Sequence, residues 1–232
     1  MVAHVVDRAL AIDGVDGVVL ATTVAPADDA LADFARRYDI PCTRGSEDDV
    51  LDRFHQAVGE HPADVIVRVT ADCPLLDPRV SGRVLAEYLR RAGDVDYVSN
   101  VHPPTYPDGL DTEVVSREAL ERAWRDADRP SDREHVTSYI WHNASTFRLG
   151  NVATEPSRAH LRWTVDELAD LEFVRAVYAR LDAGSRFGMD EVLDLLSAEP
   201  ELARMNAGLA RNDGYARSLR ADDRVTVNPP RR

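Results

Sequence analysis

The stretch that most constrains the fold of this chain is residues 65–78, VIVRVTADCPLLDP. Its first five residues are β-branched apart from Arg68, and polar and apolar side chains do not alternate. Such a run is typical of a strand that is buried on both faces, as in parallel sheets. The run stops at the small, acidic and turn-forming residues 70–74. Ligands of open α/β sheets bind beyond the carboxyl ends of the strands, so Asp72 lies where a site is expected.

The patterns on either side of this strand predict an α/β chain. Helices are predicted at residues 2–10, 26–38, 47–58, 78–91, 116–127, 131–141, 167–181, 189–197 and 199–220, and strands at residues 18–21, 40–43, 65–69, 95–99, 111–115, 147–152 and 160–165. The early alternation of helices and strands favours a mostly parallel sheet with crossover helices. Ser116 and Ser131 are predicted N-caps. We expect one domain over residues 1–220 and a flexible tail over residues 221–232.

The composition excludes several classes of function. The formal net charge is −13 at pH 7, which argues against a nonspecific nucleic-acid-binding protein. A polyanionic substrate would therefore need local arginines or a metal ion. None of the basic residues is lysine, which excludes a lysine Schiff base. The two cysteines match no zinc-binding pattern, and the chain has neither a long apolar run nor a signal-peptide pattern, which predicts a cytoplasmic location and no membrane span.

Five places carry residue types suited to chemistry. Residues 44–53 lead into a helix whose N-terminus can receive an anion, or which its own acidic first turn caps. Asp72 and Asp166 each follow a predicted strand and could share a divalent metal ion, although a turn or cap aspartate is the alternative for Asp72. The proline-rich residues 100–113 form a loop at a sheet rim, where binding sites are common. The triplet at residues 133–135 is Arg-Glu-His, which on a helix is usually a set of surface salt bridges.

Seven segments, taken together and in order, closely resemble the acylneuraminate-cytidylyltransferase-like family. The nearest branch resembles the spore-coat polysaccharide biosynthesis cytidylyltransferases. The segments are RGSEDDVLDR (44–53), RVTADCPLLDP (68–78), DYVSN (96–100), GLDTEV (109–114), REHVT (133–137), HLRWTVDELADLE (160–172) and NDGYARSL (212–219).

The resemblance implies a nucleotide-diphosphosugar-transferase-like three-layer α/β sandwich with a mostly parallel sheet. It implies transfer of CMP from CTP to an acidic sugar, with release of pyrophosphate and with Mg²⁺, for surface polysaccharide or glycoconjugate biosynthesis. A homodimer is also compatible with it, and neither nucleic acid nor a membrane is expected as a partner. It assigns the metal and catalysis to Asp72 and Asp166, the nucleotide to Arg44, Ser46, Asp49, Arg53 and Arg68, and the sugar to Asn100, Asp111, Glu113, Arg133, Glu134, His135 and Arg162.

The chain departs from the family pattern at its start. The family begins with a buried strand and an R-x-x-S-x-R-x-P-x-K loop that holds the triphosphate, whereas Met1 falls in the helix after that loop. The expectation is weak CTP binding, and a sheet that is less stable or that pairs with another chain. The alternative function is a non-catalytic sugar-binding or partner subunit derived from this family. A glycosyltransferase is a weaker alternative, because Thr70-Ala71-Asp72 offers one carboxylate where a D-x-D pair is expected.

Overall fold

The computed structural model describes residues 1–181, 187–209, 211, 214–215, 218–220 and 222 of the chain. The helices are α1 (Val2–Ala9), α2 (Asp29–Tyr38), α3 (Val50–Glu60), α4 (Pro78–Arg90), α5 (Arg117–Asp126), α6 (Pro130–Glu134), α7 (Ser138–His142), α8 (Leu168–Arg180), α9 (Met189–Ala198) and α10 (Pro200–Arg204). The strands are β1 (Leu20–Thr23), β2 (Cys42–Gly45), β3 (Val65–Arg68), β4 (Tyr97–Ser99), β5 (Glu113–Ser116) and β6 (Leu149–Asn151). Within the described ranges, no helix is both long and apolar enough to cross a membrane.

The chain divides into two compact units. The first comprises residues 1–17, 67–114 and 150–211, and the second comprises residues 18–66, 115–149 and 212–232. In the second unit β1 and β2 form a parallel pair. The strands β3 to β6 form a separate four-stranded sheet in the order β3-β5-β4-β6. The single domain over residues 1–220 stays a prediction. The predicted tail at residues 221–232 lies outside the described residues, apart from Asp222.

The strand β3 is more exposed than its composition predicts. All four of its residues keep intermediate exposure. Among the described strands, β3 is at one end of the four-stranded order and has β5 as its neighbour. The prediction of a strand buried on both faces is therefore wrong. A β-branched run indicates that a segment suits a strand, whereas its burial depends on which elements cover it.

The core of the first unit packs around α8 and the segment before it. Trp163, Phe173 and Tyr106 are almost completely buried there. The helix begins with the carboxylate of Asp170 accepting a hydrogen bond from the N–H of Glu167 (3.0 Å), which satisfies a backbone donor that the helix leaves free. Burial of each large apolar side chain stabilises the fold by about 1.5–3 kcal/mol. This packing fixes Asp170, whose side chain has no exposed surface, at the edge of the candidate site.

One buried aspartate joins the starts of α4 and α9 in the first unit. The carboxylate of Asp77 accepts from the N–H of Arg79 (2.8 Å) and from the N–H of Met189 (2.7 Å). Pro78 occupies the first turn of α4, as predicted, where its missing N–H costs nothing. Asp77 therefore caps one helix and anchors another.

Two predicted elements are wrong. The helix predicted over residues 131–141 is two short helices, α6 and α7, because Val136 between them adopts a left-handed φ of 60°. The strand predicted over residues 160–165 contributes only an isolated parallel bridge between Asp108 and Arg162. The backbone of residues 161–163 forms hydrogen bonds to Asp108 in a loop, which does not continue as a neighbouring strand.

Helix ends were predicted with mixed success. The N-cap at Ser116 is confirmed, since its Oγ accepts from the N–H of Ala119 (3.1 Å). Ser131 is not an N-cap, because Pro130 begins α6 one residue earlier. The helix predicted over residues 199–220 ends at Arg204, and Gly208 beyond it has a φ of 98° that interrupts helical geometry. Part of that range, and part of the NDGYARSL segment, lies outside the described residues.

Candidate active site

The loop that leads into β5 is held by one buried asparagine. Nδ2 of Asn100 donates to the carbonyl of Leu110 (2.8 Å), and Oδ1 accepts from the N–H of Thr112 (2.9 Å). A buried amide that satisfies two backbone groups fixes a loop that has no ladder of its own. This is why the predicted strand 111–115 begins later, at Glu113. A contact between Asn100 and a substrate stays a prediction, because its amide is already engaged by the backbone.

The same loop lies directly against the segment after residue 160. The N–H of Asp108 donates to the carbonyl of Leu161 (2.9 Å), and its carbonyl accepts from the N–H of Trp163 (2.6 Å). The next residue, Gly109, has a φ of 104°, and a Cβ there would lie 2.6 Å from the carbonyl carbon of Trp163. Only glycine permits this approach of two backbones.

A further backbone contact brings the two predicted metal carboxylates onto adjoining segments. The N–H of Val165 donates to the carbonyl of Asp72 (2.9 Å), and Asp166 is the next residue along the chain. The Asp72 carboxylate accepts one weak hydrogen bond, from the Cys73 thiol (3.5 Å). The Asp166 side chain is 56% exposed and Asp72 keeps intermediate exposure, so both carboxylates are open to a ligand.

Arg162 binds three carboxylates from a nearly buried position, its side chain being 10% exposed. Its Nε and Nη2 contact the two oxygens of Asp170 (3.0 Å each), and Nη2 also contacts Asp166 (2.5 Å). Its Nη1 lies 3.4 Å from Asp108. Burial lowers the pKa of the Arg162 guanidinium, but the carboxylates around it raise that pKa by more, so the net shift is upward. Arg162 is therefore a permanent cation that orients the acidic groups around it.

Asp170 is the best satisfied of these carboxylates. Burial raises the pKa of Asp170, but hydrogen bonds from Arg162, from Nδ2 of Asn206 (2.8 Å) and from the N–H groups of Asp166 and Glu167 outweigh it and lower the pKa below its usual value. Such bonding favours the charged form. Asp170 is therefore a fixed anion that holds Arg162 in place, although a sequence pattern alone would present it as an ordinary helix residue.

Asp108 and Asp111 behave differently, because burial dominates. Burial raises the pKa of Asp108, the guanidinium groups of Arg162 and Arg211 lower it, and the charges of Asp72 and Asp166 raise it again. Burial raises the pKa of Asp111 to about 7, against the lowering effect of Arg211. The Asp111 side chain nevertheless keeps 31% of its surface accessible, as at the bottom of a recess. Unlike Asp170, Asp111 can change protonation near neutral pH.

The carboxylate recess is the name we give to Asp72, Asp108, Asp111, Asp166 and Asp170 with Arg162 and Arg211. Five carboxylates with two guanidinium groups leave an excess of negative charge. No group of three or more His, Cys, Asp or Glu side chains poised for a metal occurs within the described part of the chain. Mg²⁺ is usually held by one or two carboxylates together with water and substrate phosphates, so the donor set of Asp72 and Asp166 fits such an ion.

Two further predicted site residues bind each other in the first unit. Arg68 forms an ion pair with Glu113, whose other oxygen accepts from the hydroxyl of Tyr97 (2.5 Å). Burial and the neighbouring Glu113 raise the pKa of Tyr97, which keeps its hydroxyl a donor. The roles of Arg68 toward the nucleotide and of Glu113 toward the sugar stay predictions, and a substrate that used either would compete with this pair.

In the second unit, residues predicted to contact the nucleotide hold the backbone before α3. Arg44 donates to the carbonyls of Thr23 (2.8 Å) and Ala25 (3.0 Å). Arg53 donates to the carbonyl of Ser46 (2.9 Å), whose Oγ accepts from the N–H of Asp49 (3.1 Å). The helix predicted from residue 47 begins at Val50, and Asp49 caps it. The internally capped alternative therefore describes this helix start.

The Arg-Glu-His triplet also has partners in the second unit. Arg133 binds Asp49 through Nε (3.0 Å) and Nη2 (2.7 Å), which joins α6 to the cap of α3. Ser218 donates to the carboxylate of Glu134 (2.6 Å) and lies 2.9 Å from Nε2 of His135. Roles for the triplet toward a sugar stay predictions.

Sequence reasoning missed three residues of the carboxylate recess and Asn206, which bonds to it. Asp108 precedes Gly109 in a P-D-G turn pattern, and Asp170 is in the quoted HLRWTVDELADLE segment, so both left a signal. Arg211 directly precedes the NDGYARSL segment, which is a weak signal, and Asn206 left none. The contacts of Asn206 and Arg211 depend on how the chain returns after α10.

Comparison with known proteins gives one family and consistent relatives. A family model described as "Cytidylyltransferase" matches residues 1–192. The uncharacterized protein MJ1063 from Methanocaldococcus jannaschii is 32% identical over 84% of this chain and 78% of its own length. The spore coat polysaccharide biosynthesis protein SpsF from Bacillus subtilis is 30% identical over 81% of this chain and 78% of its own length.

Solved structures share the fold. A cytidylyltransferase from Leptospira borgpetersenii has a TM-score of 0.84 at 23% identity, covering 90% of this chain and 87% of that one. A CMP:2-keto-3-deoxy-manno-octonic acid synthetase complexed with CTP has a TM-score of 0.54 at 19% identity, covering 77% and 87%. Rv0371c from Mycobacterium tuberculosis, in a complex with manganese, has a TM-score of 0.50 at 14% identity, covering 74% and 83%. The predicted α/β fold of the nucleotidyltransferase type is confirmed.

Proposed function

The chain belongs to the cytidylyltransferase family, since the family model matches residues 1–192, and from that premise we propose that it transfers CMP from CTP to a sugar and releases pyrophosphate. The family match is the observation that carries the proposal. The excess negative charge of the carboxylate recess supports it, because a triphosphate can approach such a surface only with a divalent cation.

Asp72 and Asp166 are the residues that we propose to hold the cation. A bound Mg²⁺ would neutralise phosphate charge and orient the displacement at the α-phosphorus. Arg162 presents the Asp166 carboxylate at 2.5 Å and is itself fixed by Asp170. The chain therefore supplies carboxylates in set positions, and no covalent nucleophile is required. The manganese complex of a protein with this fold supports a divalent cation as cofactor.

We propose an acidic sugar as the acceptor, for surface polysaccharide or glycoconjugate biosynthesis. The resemblance stated above implies this class. Two observations support it: SpsF is 30% identical and belongs to spore coat polysaccharide biosynthesis, and a CMP:2-keto-3-deoxy-manno-octonic acid synthetase has the same fold. CTP and the sugar are the proposed small-molecule partners, and a cytoplasmic location follows from the same proposal.

The test is pyrophosphate release from CTP and Mg²⁺ with a panel of acidic, neutral and amino sugars. We expect release with an acidic sugar, and we expect Asp72→Asn and Asp166→Asn to abolish it while the circular dichroism spectrum is unchanged. Asp190→Asn removes an exposed carboxylate of α9 in the first unit and is the matched control. Calorimetric binding of the sugar without CTP binding or pyrophosphate release would instead support a non-catalytic binding subunit, and near-native activity of either variant would remove that residue from the cation site.

A further inference from the structure

Asn206 and Arg211 both bond to residues of the carboxylate recess, although they lie beyond the residues that the family model matches. Nδ2 of Asn206 donates to the carbonyl of Arg162 (2.9 Å) and to the carboxylate of Asp170 (2.8 Å). Nη2 of Arg211 contacts Oδ1 of Asp111 (2.5 Å). These two residues thus contact a fixed anion, Asp170, and a carboxylate that can change protonation, Asp111.

Arg211 also fixes the loop that carries Asp111. Its Nη1 donates to the carbonyl of Tyr106 (3.1 Å), so one guanidinium group bonds to the loop at Tyr106 and at Asp111. The Arg211 side chain is 15% exposed, which means that its charge acts across protein more than across water. Oδ2 of Asp111 accepts no hydrogen bond from the residues that the structure describes, and the side chain remains accessible. One oxygen is therefore held, and the other can accept a hydrogen bond from a ligand.

The charges that face Asp111 make Arg211 decisive for its protonation. Burial, Asp108 of the same loop and Glu113 of β5 all raise the pKa of Asp111, whereas Arg211 lowers it. Glu113 is paired with Arg68 and Tyr97. Burial and the charges of Asp72 and Asp111 raise the pKa of the Cys73 thiol. Of Asp108, Glu113 and Arg211, only Arg211 favours the charged form of Asp111. Loss of Arg211 would therefore leave Asp111 protonated over more of the neutral pH range.

We propose that Arg211 is a positioning residue that keeps Asp111 charged and oriented as the acceptor of a hydrogen bond from a hydroxyl of the sugar substrate. The assignment rests on the proposed function for the identity of the ligand, but the pairing of Arg211 with Asp111 does not. Neither the family match nor the motifs quoted above include Arg211. It acts through Asp111 and is not itself required to contact the sugar.

The first test needs no activity. The carboxyl ¹³C resonances of aspartate are followed against pH, and Asp111 is assigned by the resonance that Asp111→Asn removes. We expect Asp111 to titrate near pH 7 in the full chain and about one unit or more higher in Arg211→Gln. Arg204→Gln, which removes an exposed arginine at the end of α10, is the matched control and should leave the titration unchanged. An Asp111 resonance that titrates at the same pH with and without Arg211 overturns the proposal.

The second test separates positioning from general structural damage. At pH 7 we expect Arg211→Gln to raise the KM for the sugar about fivefold, because a one-unit rise from a pKa of about 7 lowers the charged fraction of Asp111 from about one half to about one tenth. The KM for CTP should stay within about twofold. Raising the pH should reverse part of the loss. Arg211→Lys keeps the charge but not both hydrogen bonds, so it should restore the titration and recover the KM only in part. Equal changes in both KM values, or no reversal with pH, would overturn the proposal.

The two tests also separate this proposal from the proposed function. If the full chain releases no pyrophosphate with any sugar, the proposed function fails, and the titration decides whether Arg211 controls Asp111. If Arg211→Gln does not fold, both measurements are made on Arg211→Lys. A raised KM for the sugar is then expected, and an unchanged KM would overturn the positioning role.

Discussion

At the scale of single residues, Gly109 is the position where the backbone allows no side chain. Its φ of 104° is a conformation that L-residues rarely adopt, and the nearest atoms to an added Cβ are backbone atoms of Trp163 and Thr164 at 2.6–2.9 Å. Backbone atoms in a bonded segment cannot move aside as a flexible side chain can. The glycine of the G-L-D-T-E-V segment is therefore required for the contact between the loop and the residues that precede Asp166.

We predict that Gly109→Ala destabilises the protein, with strain of about 1–3 kcal/mol from the φ angle and a further cost from the contact. Denaturant unfolding measures the change. Gly59→Ala is the control, because Gly59 lies in α3 with nothing near its Cβ, and helix propensity makes that change stabilising by up to about 1 kcal/mol. Equal effects of the two substitutions would mean that the loop does not have this backbone conformation.

A second residue-scale prediction concerns the cost of keeping Asp111 ionised. Folding raises its pKa from 3.8 to about 7, so the protonated form fits the fold better than the charged form. The associated stability is fully present below about pH 4 and is lost as the pH rises through about 7. Asp111→Asn should therefore have a higher thermal midpoint than the parent chain at pH 8 and a similar one near pH 4. A variant that is less stable by the same amount at both pH values would contradict this linkage.

At the scale of elements, the pair Arg133–Asp49 joins α6 to the start of α3. The carboxylate of Asp49 caps α3 by accepting from the N–H of Asp52 (2.9 Å) while it binds the guanidinium group. Family resemblance assigns Arg133 to the sugar, yet its donors are occupied by Asp49 and by the carbonyl of Trp124 (2.6 Å). An arginine with these partners supports the segment at residues 44–53 that is proposed for the nucleotide.

We predict that Arg133→Gln lowers the free energy of unfolding by about 1–3 kcal/mol, because the partly buried Asp49 carboxylate loses its charged donors. The KM for CTP should rise more than the KM for the sugar. A double-mutant cycle with Asp49→Asn isolates the coupling, and the exposed Arg129 supplies the control Arg129→Gln. A selective rise in the KM for the sugar would restore the role that the resemblance implies.

At the scale of the whole molecule, the net charge of −13 opposes the approach of CTP. Repulsion between like charges extends over a Debye length of about 30 Å at 0.01 M salt, but over only about 8 Å at physiological ionic strength. We predict that kcat/KM for CTP rises as salt increases over this range at saturating Mg²⁺, while kcat, which involves no encounter, stays constant. Pyrophosphate release at several concentrations of an inert salt measures both. A fall in kcat/KM would mean that local arginines, and not the net charge, control the encounter.

The class of fold, most of the helices and the segments that carry the candidate site can be predicted from the amino-acid sequence. Each end of helices α1, α4, α8 and α9 lies within about one residue of its predicted position, because apolar spacing, caps and proline act locally. The sequence also predicts the segments that hold Asp72, Asp111, Arg162 and Asp166, since each has an unusual composition in or next to a predicted strand. The family can also be identified from the sequence, because long motifs keep their order along a chain.

Which of those side chains come into contact depends on the tertiary structure. Arg162 contacts Asp108, and Arg211 contacts Asp111 across a hundred residues of sequence, and no local pattern encodes such distances. The loss of the strand at residues 160–165 has the same cause, because the backbone there bonds to Asp108 and Asp72, which are distant in the sequence and not part of a strand. Protonation is also a tertiary property, since Asp170 and Asp111 are the same residue type with opposite pKa shifts, set by hydrogen bonds in one case and by burial in the other.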